Sequence, residues 1–317
     1  MEAIIDPIPV ELLKQELNEK TFLRKTNKAG NEIYVVNYEN APNVLREVGR
    51  LREITFRSVG SGSGTACDID HFDIEDKACY QLVLWNPDAD EIIGGYRFTR
   101  LKEASYREDG QPYINSAKLF KFTPEFCERY FPHALEMARA WVQPKYQSRE
   151  MGLKSLFALD NIWDGIGGLI AQDPSIKYLM GKVSMFATSP RPSLEAMIYF
   201  LEKFCGDKEN LIQGINPEVV SDERKAELDE LFNADSLVEN YKILNTYVTG
   251  LGDKIPPLIH LYLNLSSSMK TFGTVMDPNF GEEYDTEMII TVSDIYMEKY
   301  QRYIQSAVDQ LEAEKNA

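Results

Sequence analysis

The order of apolar segments between residues 79 and 204 constrains the fold of this chain more than any other feature. Cys79–Trp85 and Glu91–Leu101 read as a strand pair, and Asn86-Pro-Asp-Ala-Asp90 has the residue types of the turn between them. Ala134–Val142 reads as another strand, closed by Pro144. Gly152–Leu169 reads as a long helix, Tyr178–Phe186 as a strand, and Leu194–Phe204 as a helix begun after Pro190 and Pro192. Strand pair, strand, helix, strand, helix predicts an α/β fold on a central sheet of mixed strand direction, flanked by helices.

The flanking sequence adds to this core. Pro9–Leu17 has apolar residues at helical spacing and Ile33–Tyr38 looks like a strand, so residues 1–40 read as an N-terminal helix and strand extension. From Pro42, Leu45, Val48 and Leu51 form one stripe while Arg46, Arg50 and Arg57 lie largely off it, which predicts a helix with a basic face. Gly60-Ser-Gly-Ser-Gly64 reads as a flexible linker. Residues 41–205 form the expected core. Residues 206–317 read as an acidic helical insertion, centred on Glu218–Phe232, and a C-terminal extension completing the same domain. That extension comprises a helix at Pro256–Leu265, a strand at Glu287–Val292 and a closing amphipathic helix at Ile295–Glu314.

A chain of 317 residues, 44% hydrophobic, can bury a full core. No apolar run reaches the roughly 18 residues of a membrane span, and the N-terminus lacks a basic start followed by an apolar block, so the expected location is the cytoplasm. Fifty acidic against 34 basic residues give a net charge of -16, which opposes binding to nucleic acid and to anionic bilayers. Cys67, Cys79, Cys127 and Cys205 are scattered without metal spacing and fit free thiols. His71, His133 and His260 have no metal-type partner at helical spacing, and Asp73 and Cys79 stand where a calcium loop starting at Asp68 would need glycine and glutamate. No metal and no bound cofactor is expected. A nucleophilic serine elbow is also missing.

Charge that a core does not need is concentrated in Asp68-Ile-Asp-His-Phe-Asp73, in Arg97, and in Glu136-Met-Ala-Arg139, and such charge marks a candidate site. The segments carrying it resemble a known family. Arg52-Glu-Ile-Thr-Phe-Arg57, the Asp-x-Asp-x-Phe-Asp box, Gly94-Gly-Tyr-Arg97, Glu136–Arg139 and Val142–Tyr146 occur in order, followed by Ile162-Trp-Asp-Gly-Ile166, Tyr178-Leu-Met-Gly181 and Pro256-Pro-Leu258. Together these resemble the bacterial amino-acid N-acyltransferases that make lyso-glycine and lyso-ornithine lipids, often labelled haemolysin-like, and more distantly the acyl-homoserine-lactone synthases. The resemblance implies a GNAT-type acyltransferase core.

Acetyl-CoA-using members of that fold wrap the pyrophosphate in a glycine-rich loop at a helix N-terminus. Here Gln147-Ser-Arg-Glu-Met-Gly152 keeps only Gly152. The departure favours acyl carrier protein, whose phosphopantetheine arm carries one phosphate, as the acyl-donor co-substrate. Val142, Tyr146, Arg149, Gly152 and Lys154 are the expected donor-binding residues, and some of Arg46, Arg50, Lys145, Arg149 and Lys154 are expected to form the landing patch for that acidic partner.

Making an amide from a thioester requires a neutral amine, hence a base. Glu136 is the first candidate, with Asp70 and Asp73 orienting the arginines or the amine; Arg97 or Arg139 would hold the acceptor carboxylate, and Arg57 joins the substrate-binding set. Residues 136 and 139 point to opposite faces of a regular strand, so either a bulge unites them or they serve different faces. Asp70, Asp73, Arg97 and Arg139 equally fit a buried ion-pair network.

The expected activity is transfer of a 3-hydroxyacyl chain from acyl carrier protein to the α-amine of glycine, with ornithine second, giving a lyso-aminolipid. The rival readings are an acyl-homoserine-lactone-synthase-like enzyme and a non-catalytic lipid-associated binding protein. A long-tailed product implies transient, peripheral contact with the inner membrane, for which Ile255–Leu265 offers apolar residues.

Overall fold

The structure is a computed structural model that describes residues 1–75, 79–147 and 153–316, the side chains of 153–156 excepted. In chain order the strands are β1 Phe22–Lys25, β2 Glu32–Val36, β3 Tyr80–Asn86, β4 Glu91–Arg100, β5 Phe120–Phe122, β6 Ala134–Val142, β7 Tyr178–Phe186, β8 Ile212–Gly214, β9 Lys270–Asp277 and β10 Glu283–Thr291. The helices are α1 Val10–Glu16, α2 Pro42–Arg57, α3 His71–Ile74, α4 Pro124–Tyr130, α5 Leu153–Gln172, α6 Arg191–Cys205, α7 Asp222–Leu231, α8 Leu237–Gly250, α9 Pro257–Leu263, α10 Met297–Tyr300 and α11 Ser306–Lys315. This is the α/β class the segment order predicts, with sheet flanked by helices.

The chain divides into two compact units. Met1–Ala104, His133–Lys177 and Tyr296–Ala317 form the first. Its strands lie in the order β1-β2-β3-β4-β6, each pair antiparallel. Val36, Val83, Trp85 and Trp141 meet Val44, Val48 and Leu51 of α2 and Leu13 of α1 in one apolar cluster. Antiparallel strands place directly opposed residues on the same face, so Gln81, Arg97 and Ala138 share one face of the sheet. Leu82 lies on the other face, against α5, where Gly165 leaves room for it: a Cβ there would sit 2.8 Å from the Leu82 side chain.

Gly94-Gly95 is needed for packing. A Cβ on Gly94 would strike the Trp141 carbonyl, and one on Gly95 the Leu82 carbonyl. The Gly60–Gly64 stretch, expected as a flexible linker, is instead a folded turn. Gly60, Gly62 and Gly64 take positive φ, and Glu53 accepts from the Ser63 and Gly64 backbone N–H groups at 3.1 and 2.8 Å.

Ser105–Pro132 and Tyr178–Ile295 form the second unit. It holds the antiparallel strands β7-β10-β9 and the short pair β5-β8. Lys182 of β7 pairs with Asp285 of β10 at 2.7 Å and stays charged, because that carboxylate outweighs the burial that opposes it. The Pro256–Leu265 segment turns Ile259, Tyr262, Leu263 and Leu265 inward, while Ile255, Leu258 and Leu261 are half-buried. No helix among the described residues is long and apolar enough to cross a membrane.

Candidate active site

The site is built on the α2 side of the first unit's sheet. Arg52 falls on the buried stripe of α2 with Leu45 and Val48, at the position where another aliphatic residue would complete the pattern. Its guanidinium is fully buried, which is tolerable only with charge partners. It finds two: Asp68 at 2.9 Å and Asp73 at 2.9 Å. The same group also donates to the Asp68 backbone carbonyl.

The acidic segment is held by its own local chemistry. Asp70 caps α3, accepting from the Phe72 N–H at 3.0 Å, while Asp73 accepts from the Asp70 N–H at 3.1 Å; the two form a reciprocal capping box. Asp73 also takes a hydrogen bond from Gln81 Nε2 at 2.8 Å. Arg97 of β4 then reaches Asp70 at 2.7 Å and Asp73 at 3.3 Å.

Arg139 closes the circuit, meeting Asp68 at 3.1 Å and Asp70 at 3.8 Å. It gets there through a β-bulge. The β4–β6 register slips between Gly95 and Arg97, three steps of β6 opposing two of β4, and Arg139 takes a φ of 49°. The bulge resolves the expected conflict of faces, because Thr99 opposes Glu136 just as Arg97 opposes Ala138. Glu136, Arg97 and the Arg139 guanidinium therefore lie on one side of the sheet.

Arg52, Asp68, Arg139, Asp70, Arg97 and Asp73 thus form a closed ring of alternating charge, with no net charge of its own. Burial works to raise the Asp68 and Asp73 carboxyls; Arg52 with Arg139 at the first, and Arg52 with Arg97 at the second, outweigh it and hold both below the usual range. Arg97 is held above its ordinary value by Asp73 and Asp70 against the opposing pull of burial. Access to the ring is uneven: Arg52 and Asp73 side chains are 0% exposed, Arg139 and Asp70 16% and 20%. The Nε and Nη2 groups of Arg97 are buried and have no hydrogen-bond acceptor among the described residues. Phe72 lies 5.8 Å from the same guanidinium.

Other expected site residues lie apart from the ring. Arg57 pairs with Glu53 at 2.7 Å and donates to the Glu2 carbonyl at 2.7 Å. Tyr146 is buried beneath the β3–β4 turn, its hydroxyl donating to Glu91 at 2.5 Å and accepting from Asn86 at 3.0 Å. Val142 ends β6 opposite Gly94. Arg149 and Gly152 lie outside the described residues, as does the side chain of Lys154. In the expected landing patch, Arg50 pairs with Glu47 at 2.6 Å and Lys145 with Glu91 at 2.7 Å. Arg46 is exposed, has no ion-pair partner among the described residues, and lines a groove of about 360 Å³ with Leu45, Ile69 and Ile74. Gln81 was missed at the outset, while Asp68 was named in the acidic segment and Arg52 in the Arg52–Arg57 motif without a role for either. A charge on an apolar helical stripe was the available signal for Arg52.

Residues 51–156, which span every member of the ring, match the acetyltransferase (GNAT) domain model. The chain is 46% identical over 310 residues to a glycine N(alpha)-acyltransferase of Phocaeicola vulgatus, covering 98% of this chain and 95% of the relative. It is 43% identical over 311 residues to a glycine N(alpha)-acyltransferase of Bacteroides thetaiotaomicron, covering 98% and 91%. The chain belongs to this acyltransferase family. Membership in the glycine N(alpha)-acyltransferase family places an acyl-transfer enzyme ahead of the non-catalytic binder. Among solved structures, the chain is similar to TofI in a ternary complex with an inhibitor and MTA, at 10% identity and a TM-score of 0.41 over 87% of this chain and 96% of that one. It is also similar to BjaI, a CoA-dependent acyl-homoserine lactone synthase, with SAM and isopentyl-CoA, at 15% identity and a TM-score of 0.32 over 66% and 92%.

Proposed function

We propose that this acyltransferase moves a 3-hydroxyacyl chain from acyl carrier protein to the α-amine of glycine, giving a lyso-aminolipid. The observation that carries the reading is the bulge at Arg139, which brings a carboxylate and two guanidinium groups to one face of the sheet. Glu136 is the base. It takes a proton from the acceptor ammonium and the free amine attacks the thioester carbonyl; as the carbon–sulfur bond breaks, the new amide nitrogen gives up its second proton and the departing pantetheine sulfur takes it, leaving as the thiol.

The acceptor carboxylate is assigned to the unspent Nε and Nη2 edge of Arg97, which presents two parallel N–H groups. It approaches from the exposed flank of Asp70 and Arg139. The ring keeps Arg97 charged and fixed in place, so the buried ion pairs and the substrate role belong to one device. Glycine, the acceptor in the names of both relatives, is the favoured amino acid. The lack of all but one glycine in the Gln147–Gly152 stretch supports a donor without a pyrophosphate, and Arg46, which has no ion-pair partner among the described residues, is the first contact assigned to an acidic carrier.

The test is a product assay with 3-hydroxypalmitoyl thioesters of acyl carrier protein and of CoA, each against glycine, ornithine and S-adenosylmethionine. N-acylglycine formed from the carrier thioester is the expected product. Glu136→Gln should lower kcat by about 100- to 10,000-fold. Full turnover by that variant, or a product with another acceptor alone, would sink the reading.

A further inference from the structure

Three side chains stand in a row, one from the residue just before β3 and one each from β4 and β6. Thr99 is directly opposite Glu136, and one step beyond the Tyr80–Phe98 pair Cys79 is opposite Thr99, with Sγ and Oγ1 3.0 Å apart. Directly opposed residues have Cβ atoms about 5 Å apart, so a Thr99 hydroxyl and a Glu136 carboxyl are within mutual reach. Exposure differs sharply along the row: Cys79 and Glu136 are buried, at 6% and 2%, while Thr99 is half-buried. A base that takes a proton in every turnover must release it before the next, and a carboxyl with almost no surface needs a neighbour to carry it out.

We propose that Thr99 is the relay through which Glu136 exchanges its proton with solvent. The inference rests on the reading of Glu136 as the base. The amine proton moves to the Glu136 carboxylate; the resulting carboxylic acid hands it to Thr99 Oγ1 as the Thr99 hydroxyl gives its own proton to water. Glu136 is left as carboxylate, Thr99 as hydroxyl, and one proton is in solvent.

Cys79 stands at one buried end of this row. Burial pushes its thiol up to about 11 against the opposing pull of Arg97 and Thr99, so it remains a thiol at neutral pH. Its S–H is able to donate to one lone pair of Oγ1, and the other is then left for Glu136. Arg97 and Thr99 flank the thiol, yet nothing here makes Cys79 a nucleophile: a thiol kept protonated does not attack a thioester.

The experiment compares wild type with Thr99→Val, Thr99→Ala, Thr99→Ser and Glu136→Gln in steady-state assays, with thermal melts as folding controls. Thr99→Val and Thr99→Ala should lose about tenfold or more in kcat with the KM for glycine within about twofold, and Thr99→Ser should recover most of the rate. Imidazole, a small proton carrier, should partly restore the Val and Ala variants. Wild-type turnover by Thr99→Val beside an inactive Glu136→Gln would overturn the relay and leave the base in place. A slow Thr99→Val that neither serine nor imidazole rescues would also overturn it, marking Thr99 as structural. Full activity in Glu136→Gln would remove the base, and the relay with it.

Discussion

At the scale of single residues, Arg52 is the most consequential side chain that never needs to meet a substrate. It is fully buried and serves Asp68 and Asp73 at once. Removing one partner of a buried ion pair is costly because the other charge stays behind, about 3–5 kcal/mol. Arg52→Met should therefore lower the unfolding free energy by about that amount, read as a shifted denaturant midpoint with an unchanged slope. A loss below about 1 kcal/mol would mean that Arg97 and Arg139 can hold the aspartates alone. Asp70, Asp73, Arg97, Glu136 and Arg139 stood out in the sequence as charge within apolar or strand-like surroundings. Arg52 was given no role there, although its place on the apolar stripe with Leu45 and Val48 sets it apart from Arg46, Arg50 and Arg57.

At the scale of elements, the site depends on how β4 and β6 are kept close and out of phase. Gly95 lets β4 lie against the Leu82 carbonyl, and the extra residue in β6 turns Arg139 toward the acidic segment. Gly95→Ala forces a methyl group against backbone, an overpacking worth about 1–3 kcal/mol. A lower melting temperature together with reduced turnover is expected, and a melt identical to wild type would show that the strands can part without cost. β3, β4, β6, α2 and α5 were legible because long apolar or periodic runs leave few alternatives. β1 has only four residues and carries the buried Arg24, so it gave no pattern. The bulge was open as one of two outcomes, because its positive φ falls on an arginine, where composition carries no cue. The closing helix was read as continuous, but a π-turn at Gln301–Gln305 interrupts it beside Gly167, where a Cβ would strike the Tyr303 carbonyl.

At the scale of the whole molecule, sequence order does not reveal that Tyr296–Ala317 joins the unit begun at Met1, because an amphipathic helix has the same pattern wherever it docks. The charge balance does carry a testable consequence. Asp68 and Asp73 have folded values depressed below the ordinary carboxylate value near 3.9, so they contribute stability that is fully present above about pH 4. That contribution is lost as pH falls from there through the depressed folded values. Chemical-denaturant titrations between pH 7 and 2 should show a decline that steepens below about pH 4, and a Arg52→Met chain should show a shallower one. An acid limb of equal slope in both would dissociate the ring from acid stability. Because each guanidinium in that ring is shared by two carboxylates and each carboxylate by two guanidinium groups, neutralising a fully buried member such as Arg52 or Asp73 alone strands an odd charge in the interior. Loss of charge at such a position is compensated by loss of the opposite charge beside it, so the buried half of the circuit changes at least cost two residues at a time.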